Sequence, residues 1–457
     1  MVSDIDYRRE EFVMNRLLPL YSLIVCGACL ASIAAASQVH LEVSMSHPTL
    51  LADKKQTTFL KVGLTGFRLP QSEQRPPVNV AIVLDKSGSM SGEKMEQAKH
   101  AAMTVVERLE ENDIVSLIVY DTNVEVVVPA TKLTDKSWVI QRIVAIRARG
   151  STALYAGVSQ GAQEIQKFIE KERVNRIVLL SDGLANVGPR TPSELSQLGR
   201  TLMEQGITVS TLGLGLDYNE DLMTQLAQSS GGNHAFIEHA NDLVHIFNQE
   251  FDTLTSVVAQ EVLITINVAE GIRPVRVMNR DADINGKQVV VNLNQLLSEQ
   301  ERYVLLEVEV PACPAGMEIV VAEVLISYAN LVDKTQDQLK SSVGANFSDS
   351  AAVVEQNANV EVCTSSVLQL ANEKNILATT LRDEGHITEA KQVLLENSKY
   401  LRRNAVKYDS DQLWRRSEDN TEQAAKIDGR EWKKFRKVMR QQQNADAVQQ
   451  AYDGKSQ

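Results

Sequence analysis

The stretch that decides the fold is "VNVAIVLDKSGSMSG", residues 78–92. A nearly continuous apolar run ends here at an acidic residue, and serine and glycine residues follow it. Runs of this kind are typical of strands buried on both faces of a parallel sheet. Similar runs follow at residues 113–120, 175–181 and 207–215.

Segments with helical spacing separate the apolar runs, at residues 92–110, 137–148, 153–172 and 193–206. This alternation predicts an α/β fold over residues 78–255, with a doubly wound, mostly parallel sheet. The segment "NVEVVVPA", residues 123–130, closely follows one strand and is predicted to be its antiparallel hairpin partner at the sheet edge.

The regions on either side of this α/β domain are rich in strand patterns, at residues 37–77 and 256–365. Two or three strands form a sheet of marginal stability. We therefore expect both flanks to build one β-sandwich, with the α/β domain inserted between its strands. Residues 366–457 are predicted to form a helical hairpin and a polar helical tail with a frayed end.

Polar side chains follow the apolar runs at the points where ligands bind in such sheets. Asp85, Ser87 and Ser89 follow the first run, Thr152 lies in "RGSTALYAG", and Asp182 lies in "VLLSDGLAN". Ligands of open α/β sheets bind outside the carboxyl ends of the strands. The residues of the first loop alone are compatible with a nucleophilic centre, a metal site or a helix start.

Together these residues form a D-x-S-x-S motif, a threonine in a glycine-containing loop and an aspartate in an S-D-G turn. The set resembles the von Willebrand factor A (VWA) domain with a metal-ion-dependent adhesion site (MIDAS), over residues 78–255. Similar flanked A domains occur in exported bacterial proteins and in inter-alpha-trypsin-inhibitor heavy-chain-like proteins. The resemblance implies the same doubly wound fold that the strand and helix pattern predicts.

The resemblance also implies a cofactor and a partner. Ser87, Ser89 and Thr152 would bind Mg²⁺, or Mn²⁺ or Ca²⁺, through hydroxyl oxygens, while Asp85 and Asp182 would supply negative charge, partly through water. Mg²⁺ prefers oxygen ligands and keeps several waters. In the family, a carboxylate from a protein partner completes the coordination.

Two neighbours of the motif have other expected roles. Ser89 or Ser91 is expected to cap the helix that starts near Gly92, alongside any metal role. Alternation along the strand from Asp85 predicts that Lys86 points to solvent.

A second candidate metal site lies in "DADINGKQVVVN", residues 281–292. Asp281, Asp283 and Asn285 match the first half of a calcium loop, but the final glutamate is absent and the flanks are strands. Asn285 and Gly286 also match a favoured two-residue hairpin turn. The turn is the favoured interpretation, and an accessory calcium site is the alternative.

Residues 17–36 form an apolar, charge-free segment that ends in small residues. This pattern predicts a signal peptide over residues 1–36, with translation from Met14 as an alternative start. A retained membrane anchor or lipidation is the other alternative, and only then is a membrane contact expected. The predicted location is secreted, periplasmic or in the cell envelope. In that environment Cys313 and Cys363 either form a disulfide or remain buried thiols.

Length, composition and net charge limit the classes of function that this chain can have. The chain of 457 residues is long enough for several domains, and 43% hydrophobic and 23% charged residues indicate a globular protein. A net charge of -12 argues against a nucleic-acid partner. The expected function is cation-dependent protein binding of the adhesion or scaffold type, without catalysis or a small-molecule substrate. The alternatives are a metal-dependent hydrolase and an intracellular adaptor for an AAA+ ATPase.

Overall fold

The computed structural model describes residues 38–69 and 75–450. The predicted signal peptide and its alternative start at Met14 lie outside these residues. Within the described ranges, none of the helices has the length and apolar content to cross a bilayer. The first described strands are β1 (His40–Met45), β2 (Thr49–Leu51) and β3 (Gln56–Thr65).

The middle of the chain folds around one sheet. Its strands are β4 (Val78–Asp85), β5 (Ile114–Tyr120), β6 (Val124–Lys132), β7 (Val174–Ser181), β8 (Ile207–Leu214) and β9 (His234–Ile237). The sheet order is β6-β5-β4-β7-β8-β9, with β5 and β6 antiparallel and the other neighbours parallel. Every residue of β4, β5, β7 and β8 is buried, which explains their apolar runs. The predicted edge hairpin is confirmed, whereas the sequence does not predict β9, which is too short to carry a pattern.

Helices cover both faces of this sheet. They are α1 (Glu93–Arg108), α2 (Lys136–Val144), α3 (Leu154–Gln166), α4 (Pro192–Glu204), α5 (Glu220–Ser230) and α6 (Leu243–Thr255). Ile82 of β4 packs in the core shared with α1, α2 and α6. The next residue, Val83, packs in the core shared with α3, α4 and α5. The doubly wound fold is therefore confirmed.

The strands that follow the α/β domain pair with the strands that precede it. The later strands are β10 (Val257–Val268), β11 (Arg273–Val277), β12 (Asp283–Asn285), β13 (Gln288–Leu297), β14 (Glu301–Val310), β15 (Glu318–Asn330) and β16 (Thr335–Ser348). They form two sheets, β1-β3-β14-β11 and β12-β13-β10-β15-β16-β2. Val62 and Val304 of the first sheet share a core with Ile264 and Val324 of the second. Both flanks therefore build one sandwich, as predicted.

Helices follow the sandwich earlier than predicted. They are α7 (Ala351–Gln356), α8 (Val360–Asp383), α9 (Ile387–Tyr408), α10 (Asp411–Lys426) and α11 (Trp432–Val448). The predicted boundary at residue 365 is wrong because Asn359 caps α8, its side chain accepting the Val362 N–H at 3.1 Å. The predicted hairpin is confirmed, since α8 and α9 pack together and Gly385, at φ +92°, lies in the turn.

The two cysteines of the sandwich and helical region do not pair. Cys313 and Cys363 are both buried free thiols. Cys363 lies in the first turns of α8, where its thiol donates to the Ser46 carbonyl oxygen at 3.3 Å. Of the two alternatives that the sequence leaves open for Cys313 and Cys363, the structure therefore has the two buried thiols and not the disulfide.

The candidate calcium segment forms a hairpin between β12 and β13. Asn285 pairs with Gln288, so the turn residues are Gly286, at φ +60°, and Lys287, one position later than predicted. Asp281 instead forms an ion pair with Arg200 at 3.3 Å. In the part of the chain that the structure describes, no group of three or more His, Cys, Asp and Glu side chains could hold a metal. The calcium alternative for Asp281, Asp283 and Asn285 therefore gains no support.

His234 of β9 provides a pH-dependent contribution to stability. Its ring lies 2.9 Å from Thr211 Oγ1 and 3.3 Å from the Tyr218 hydroxyl. Burial lowers its pKa to about 4 from an unfolded value near 6.5. The unfolded chain therefore binds more protons between these pH values, and the contribution of His234, complete above pH 6.5, is lost as the pH falls towards 4.

We expect His234→Gln to flatten this dependence. The loss of stability between pH 6.5 and 4 should shrink by up to about 3 kcal/mol, because each unit of pKa shift corresponds to about 1.4 kcal/mol. Urea unfolding of both proteins at several pH values measures the difference. An unchanged slope in the variant would contradict the assignment.

Candidate metal centre

The sheet places the predicted site at the carboxyl ends of two neighbouring strands. Asp85 is the last residue of β4, Ser181 is the last residue of β7, and Asp182 follows it. The chain continues from β4 to β5 on one side, whereas β7 lies on the other side of β4. The strand order therefore reverses between β4 and β7, and such a reversal opens a crevice for ligands.

Asp85 is fully buried and accepts hydrogen bonds at both carboxylate oxygens. Oδ1 accepts from the Ser87 backbone N–H at 2.8 Å, and Oδ2 accepts from Ser181 Oγ at 2.7 Å. Burial raises the pKa of Asp85 to about 6, since these hydrogen bonds offset desolvation only in part and Asp182 adds repulsion. A cation at this position would stabilise the charged form of Asp85. The sequence motif contains Ser181 but gives no sign of this role.

The hydroxyls of Ser87, Ser89 and Thr152 converge around Gly183. Ser87 Oγ and Ser89 Oγ lie 3.1 Å apart. A Cβ added to Gly183 would lie 3.1 Å from Thr152 Oγ1, 3.6 Å from Ser89 Oγ and 3.9 Å from Ser87 Oγ. One small volume therefore borders all three oxygens, and glycine at position 183 keeps it open.

Asp182 is fully buried, and its two oxygens have different partners. Oδ1 accepts from Ser89 Oγ at 2.7 Å. Oδ2 accepts from Lys94 Nζ at 2.5 Å, and the Lys94 side chain is 33% exposed. Lys94 lies in the first turn of α1, at the same edge of the sheet, but the sequence gives no sign of its contact with Asp182. An ammonium group thus lies beside the oxygens that would face a metal.

Contacts between loops fix the position of Thr152. Its N–H donates to Asn186 Oδ1 at 2.9 Å, and its carbonyl oxygen accepts from the Asn186 N–H at 3.1 Å. The Gly88 N–H donates to the Gly150 carbonyl oxygen at 3.1 Å. The loops after β4 and β7 therefore hold the threonine loop from two sides, and Asn186 has a positioning role that the sequence does not indicate.

Two expectations about the first loop are wrong. Lys86 does not point to solvent: it is 5% exposed, and its Nζ lies 2.8 Å from Glu125 of β6. Alternation along β4 does not reveal that the neighbouring hairpin covers this position. The N-cap of α1 is Gly92, at φ +80°, without a side-chain capping bond, so neither Ser89 nor Ser91 caps the helix.

A cleft of about 630 Å³ opens beside the hydroxyls and Asp182. Leu184, which follows the S-D-G turn, lies at the rim of the cleft and is 59% exposed. The opposite side of the cleft is formed by α11, through Lys433, Arg436 and Lys437. A helix of the predicted polar helical tail, α11, therefore borders the candidate site.

An ion-pair cluster holds α11 against α5; we define the α11–α5 cluster as Glu220, Asp221, Arg436 and Lys437. Lys437 Nζ donates to Glu220 at 2.5 Å and to the Tyr218 carbonyl oxygen at 2.7 Å. Arg436 donates to Glu220 and to Asp221, each at 2.5 Å. The cluster joins the end of the chain to the helix beside the cleft.

The region that carries these groups matches a known protein family. Residues 79–249 match the family model of the von Willebrand factor type A domain, and the matched range contains Asp85, Ser87, Ser89, Thr152 and Asp182. This region is a von Willebrand factor type A domain. The resemblance drawn from the loop motifs is thereby confirmed at the level of the domain.

Relatives of this A domain occur in bacteria and animals. An uncharacterized protein of Synechocystis sp. is 30% identical over 266 residues, which cover 56% of this chain and 62% of the relative. Inter-alpha-trypsin inhibitor heavy chain H3 of Homo sapiens is 29% identical over 177 residues, 36% of this chain and 20% of the relative. The chain thus spans less than two thirds of the length of either relative.

The likeness in fold extends beyond the A domain. The solved structure of a von Willebrand factor type A protein from Catenulispora acidiphila matches with a TM-score of 0.68 at 16% identity, covering 86% of this chain and 91% of that one. This coverage includes strands and helices outside residues 79–249. At this level of identity the likeness concerns the fold alone.

Proposed function

We propose that this chain is an exported binding protein that engages a protein partner through a divalent cation on its A domain. Domains of this family commonly bind a divalent metal and mediate protein interactions. The observation that carries the proposal is the convergence of three hydroxyls beside two buried carboxylates at an open cleft. Oxygen donors of this kind suit a small, hard cation such as Mg²⁺.

Each residue of the site has a distinct part in this proposal. Ser87, Ser89 and Thr152 would hold Mg²⁺, or Mn²⁺ or Ca²⁺, through their hydroxyl oxygens, while Asp85 and Asp182 balance its charge. Such a cation supplies a Lewis-acidic position that attracts an anionic oxygen. The partner would supply that oxygen as a carboxylate entering the cleft.

The proposed activity is binding rather than catalysis. No histidine lines the cleft within the described residues. Of the carboxylates beside it, Glu220 and Asp221 are engaged by Arg436. A hydrolase would need a general base within reach of the substrate, and no observation at this cleft favours that alternative.

Export is the second element of the proposal, and it rests on the apolar segment at residues 17–36. Sequencing the mature N-terminus of the native protein tests it. A chain beginning at Ser37 supports export to the periplasm, cell envelope or medium. A cytoplasmic chain with an intact leader contradicts it and favours the ATPase-adaptor alternative.

Partner capture tests the binding element. The full chain, immobilised, should retain a partner from the native envelope or medium in the presence of Mg²⁺ and release it in EDTA. Asp85→Ala should retain none under either condition, because the variant lacks one of the two buried carboxylates that balance the charge of the cation. Retention that is equal with Mg²⁺ and with EDTA would contradict a cation-dependent contact.

Lys94 should weaken cation binding. Its ammonium group lies 2.5 Å from Asp182, so a divalent cation near Asp182 would be repelled by it. Unit charges about 4 Å apart interact by about 4 kcal/mol at an effective dielectric constant of about 20. We expect Lys94→Gln to raise the affinity for Mg²⁺ at least about tenfold, as measured by isothermal titration calorimetry.

The matched control for this change is Lys433→Gln. Lys433 lines the same cleft but is 62% exposed and pairs with Asp217 rather than with a site carboxylate. Its removal should leave the Mg²⁺ affinity nearly unchanged. Equal or weaker binding by Lys94→Gln would show that Lys94 does not compete with the cation.

A further inference from the structure

A second cavity, of about 300 Å³, lies where the A domain, the sandwich and the C-terminal helices meet. It is separate from the metal cleft. Its lining comes from all three regions and includes Ser196, Gln228, Arg280, Asn292, Glu373 and Val448. A cavity of this size can hold a small molecule.

Arg280 lines this cavity with most of its donors unused. A guanidinium group carries five N–H donors. Among the described residues, Arg280 forms a single hydrogen bond, from Nη2 to Gln449 Oε1 at 2.5 Å, and its buried Nε has no partner. No carboxylate of the described chain forms an ion pair with it. Burial lowers the pKa of Arg280 to about 10, so the group remains charged at neutral pH.

Arg302 adds a second cation directly behind the cavity lining. It is 1% exposed, and its Nε and Nη1 donate to the carbonyl oxygens of Val448 and Leu293, each at 3.1 Å. Both acceptor residues line the cavity. Its Nη2 is buried without a partner, and within the described ranges no Asp or Glu pairs with Arg302.

Nearby groups offset only part of this positive charge. Val448 is the last residue of α11, and a helix C-terminus carries about half a negative charge. The acidic lining residues are already paired, Glu373 with Arg276 at 2.7 Å and Asp281 with Arg200 at 3.3 Å. The partly buried guanidinium group of Arg280 and the buried one of Arg302 therefore have no carboxylate as an ion-pair partner among the described residues, and an uncompensated buried charge is unfavourable.

We propose that this cavity binds a small oxyanion-bearing molecule, with a phosphate or carboxylate group held by Arg280. The planar guanidinium group suits such anions because it donates two parallel hydrogen bonds to them. Arg302 contributes charge from behind the lining and fixes the end of α11. The ligand would contact all three regions of the chain at once.

Thermal unfolding of the full chain tests this site with inorganic phosphate and with citrate, each against chloride at equal ionic strength. At saturation, phosphate or citrate should raise the Tm by about 2 °C or more, since a ligand of the folded state stabilises it. The larger of the two shifts identifies the anion class. Arg280→Gln should lose the shift, and Arg273→Gln, whose residue is 63% exposed and pairs with Glu309, should keep it. Equal shifts in wild type and Arg280→Gln, or none beyond chloride, would overturn the proposal.

Crystals of the wild-type chain grown with phosphate provide a second measurement that does not depend on a variant folding. We expect anion density within hydrogen-bond distance of Arg280. A cavity without that density at saturating phosphate would overturn the site. Both tests are independent of Mg²⁺, so their outcome is separate from that of the cation-binding proposal.

Discussion

Asp182→Asn is expected to reduce Mg²⁺ binding at least about a hundredfold. The substitution preserves the shape of the side chain and the contact with Ser89, but it removes the buried charge that faces the converging hydroxyls. Even residues that only support metal ligands cost 10- to 100-fold in affinity when changed, as a rough guide. Calorimetry with Mg²⁺ and paramagnetic detection of bound Mn²⁺ both measure the loss.

Asp217→Asn is the matched control for that experiment. Asp217 lines the same cleft, but its side chain is 75% exposed and pairs with Lys433 at 2.6 Å. Its change should alter Mg²⁺ affinity by less than about threefold, because exposed charges are screened by solvent and salt. Circular dichroism should show both variants folded. Unaltered binding by folded Asp182→Asn would mean that the cation lies elsewhere.

Lys437→Met should destabilise the chain by about 3 kcal/mol. The Lys437 side chain is 1% exposed and its partner Glu220 is 8% exposed. Removing one member of a buried ion pair typically costs 3 to 5 kcal/mol, as an approximate range. Arg436 still donates to Glu220 in this variant, so we expect a loss at the lower end of that range. We expect the midpoint of urea unfolding to fall to a lower urea concentration. Hydrogen exchange in α11 should become faster, because the α11–α5 cluster loses its most buried member.

Lys433→Met is the control for Lys437→Met, because it removes a lysine of the same helix from an exposed ion pair instead of a buried one. Lys433 belongs to the same helix and forms an ion pair of similar length, 2.6 Å, with Asp217, but both side chains of this pair are exposed, at 62% and 75%. Exposed pairs contribute about 1 kcal/mol or less. Similar losses from both substitutions would show that packing of α11, rather than the buried ion pair, holds the helix.

The parts of the fold that the sequence predicts are those with a local, repeated pattern. The four apolar runs predict the parallel strands because each is buried along its whole length. The insertion into a sandwich follows from a simple requirement, since neither flank has enough strands to cover an apolar face alone. The predicted boundary at residue 365 is too late because a single side chain, Asn359, favours the start of a helix before it.

The candidate site also contains residues whose positions the sequence predicts and residues whose positions it does not. Asp85, Thr152 and Asp182 follow strands or glycine turns, so their positions in the chain predict that they meet. Lys86 and Lys94 depend on elements distant in sequence: a neighbouring hairpin buries the first, and the second reaches a carboxylate that lies 88 positions away. The position of α11 has no local signal, because ion pairs between helices more than 200 positions apart determine it.

The placement of α11 has a consequence for the order in which the protein is made. A ribosome completes the A domain well before it reaches residues 432–448, so a nascent chain presents the hydroxyls and Asp182 without the helix that forms the other side of the cleft. The cleft takes the shape described above only when α11 has been synthesised and has docked. Recognition of a partner that contacts both sides of the cleft is therefore postponed until α11 is in place.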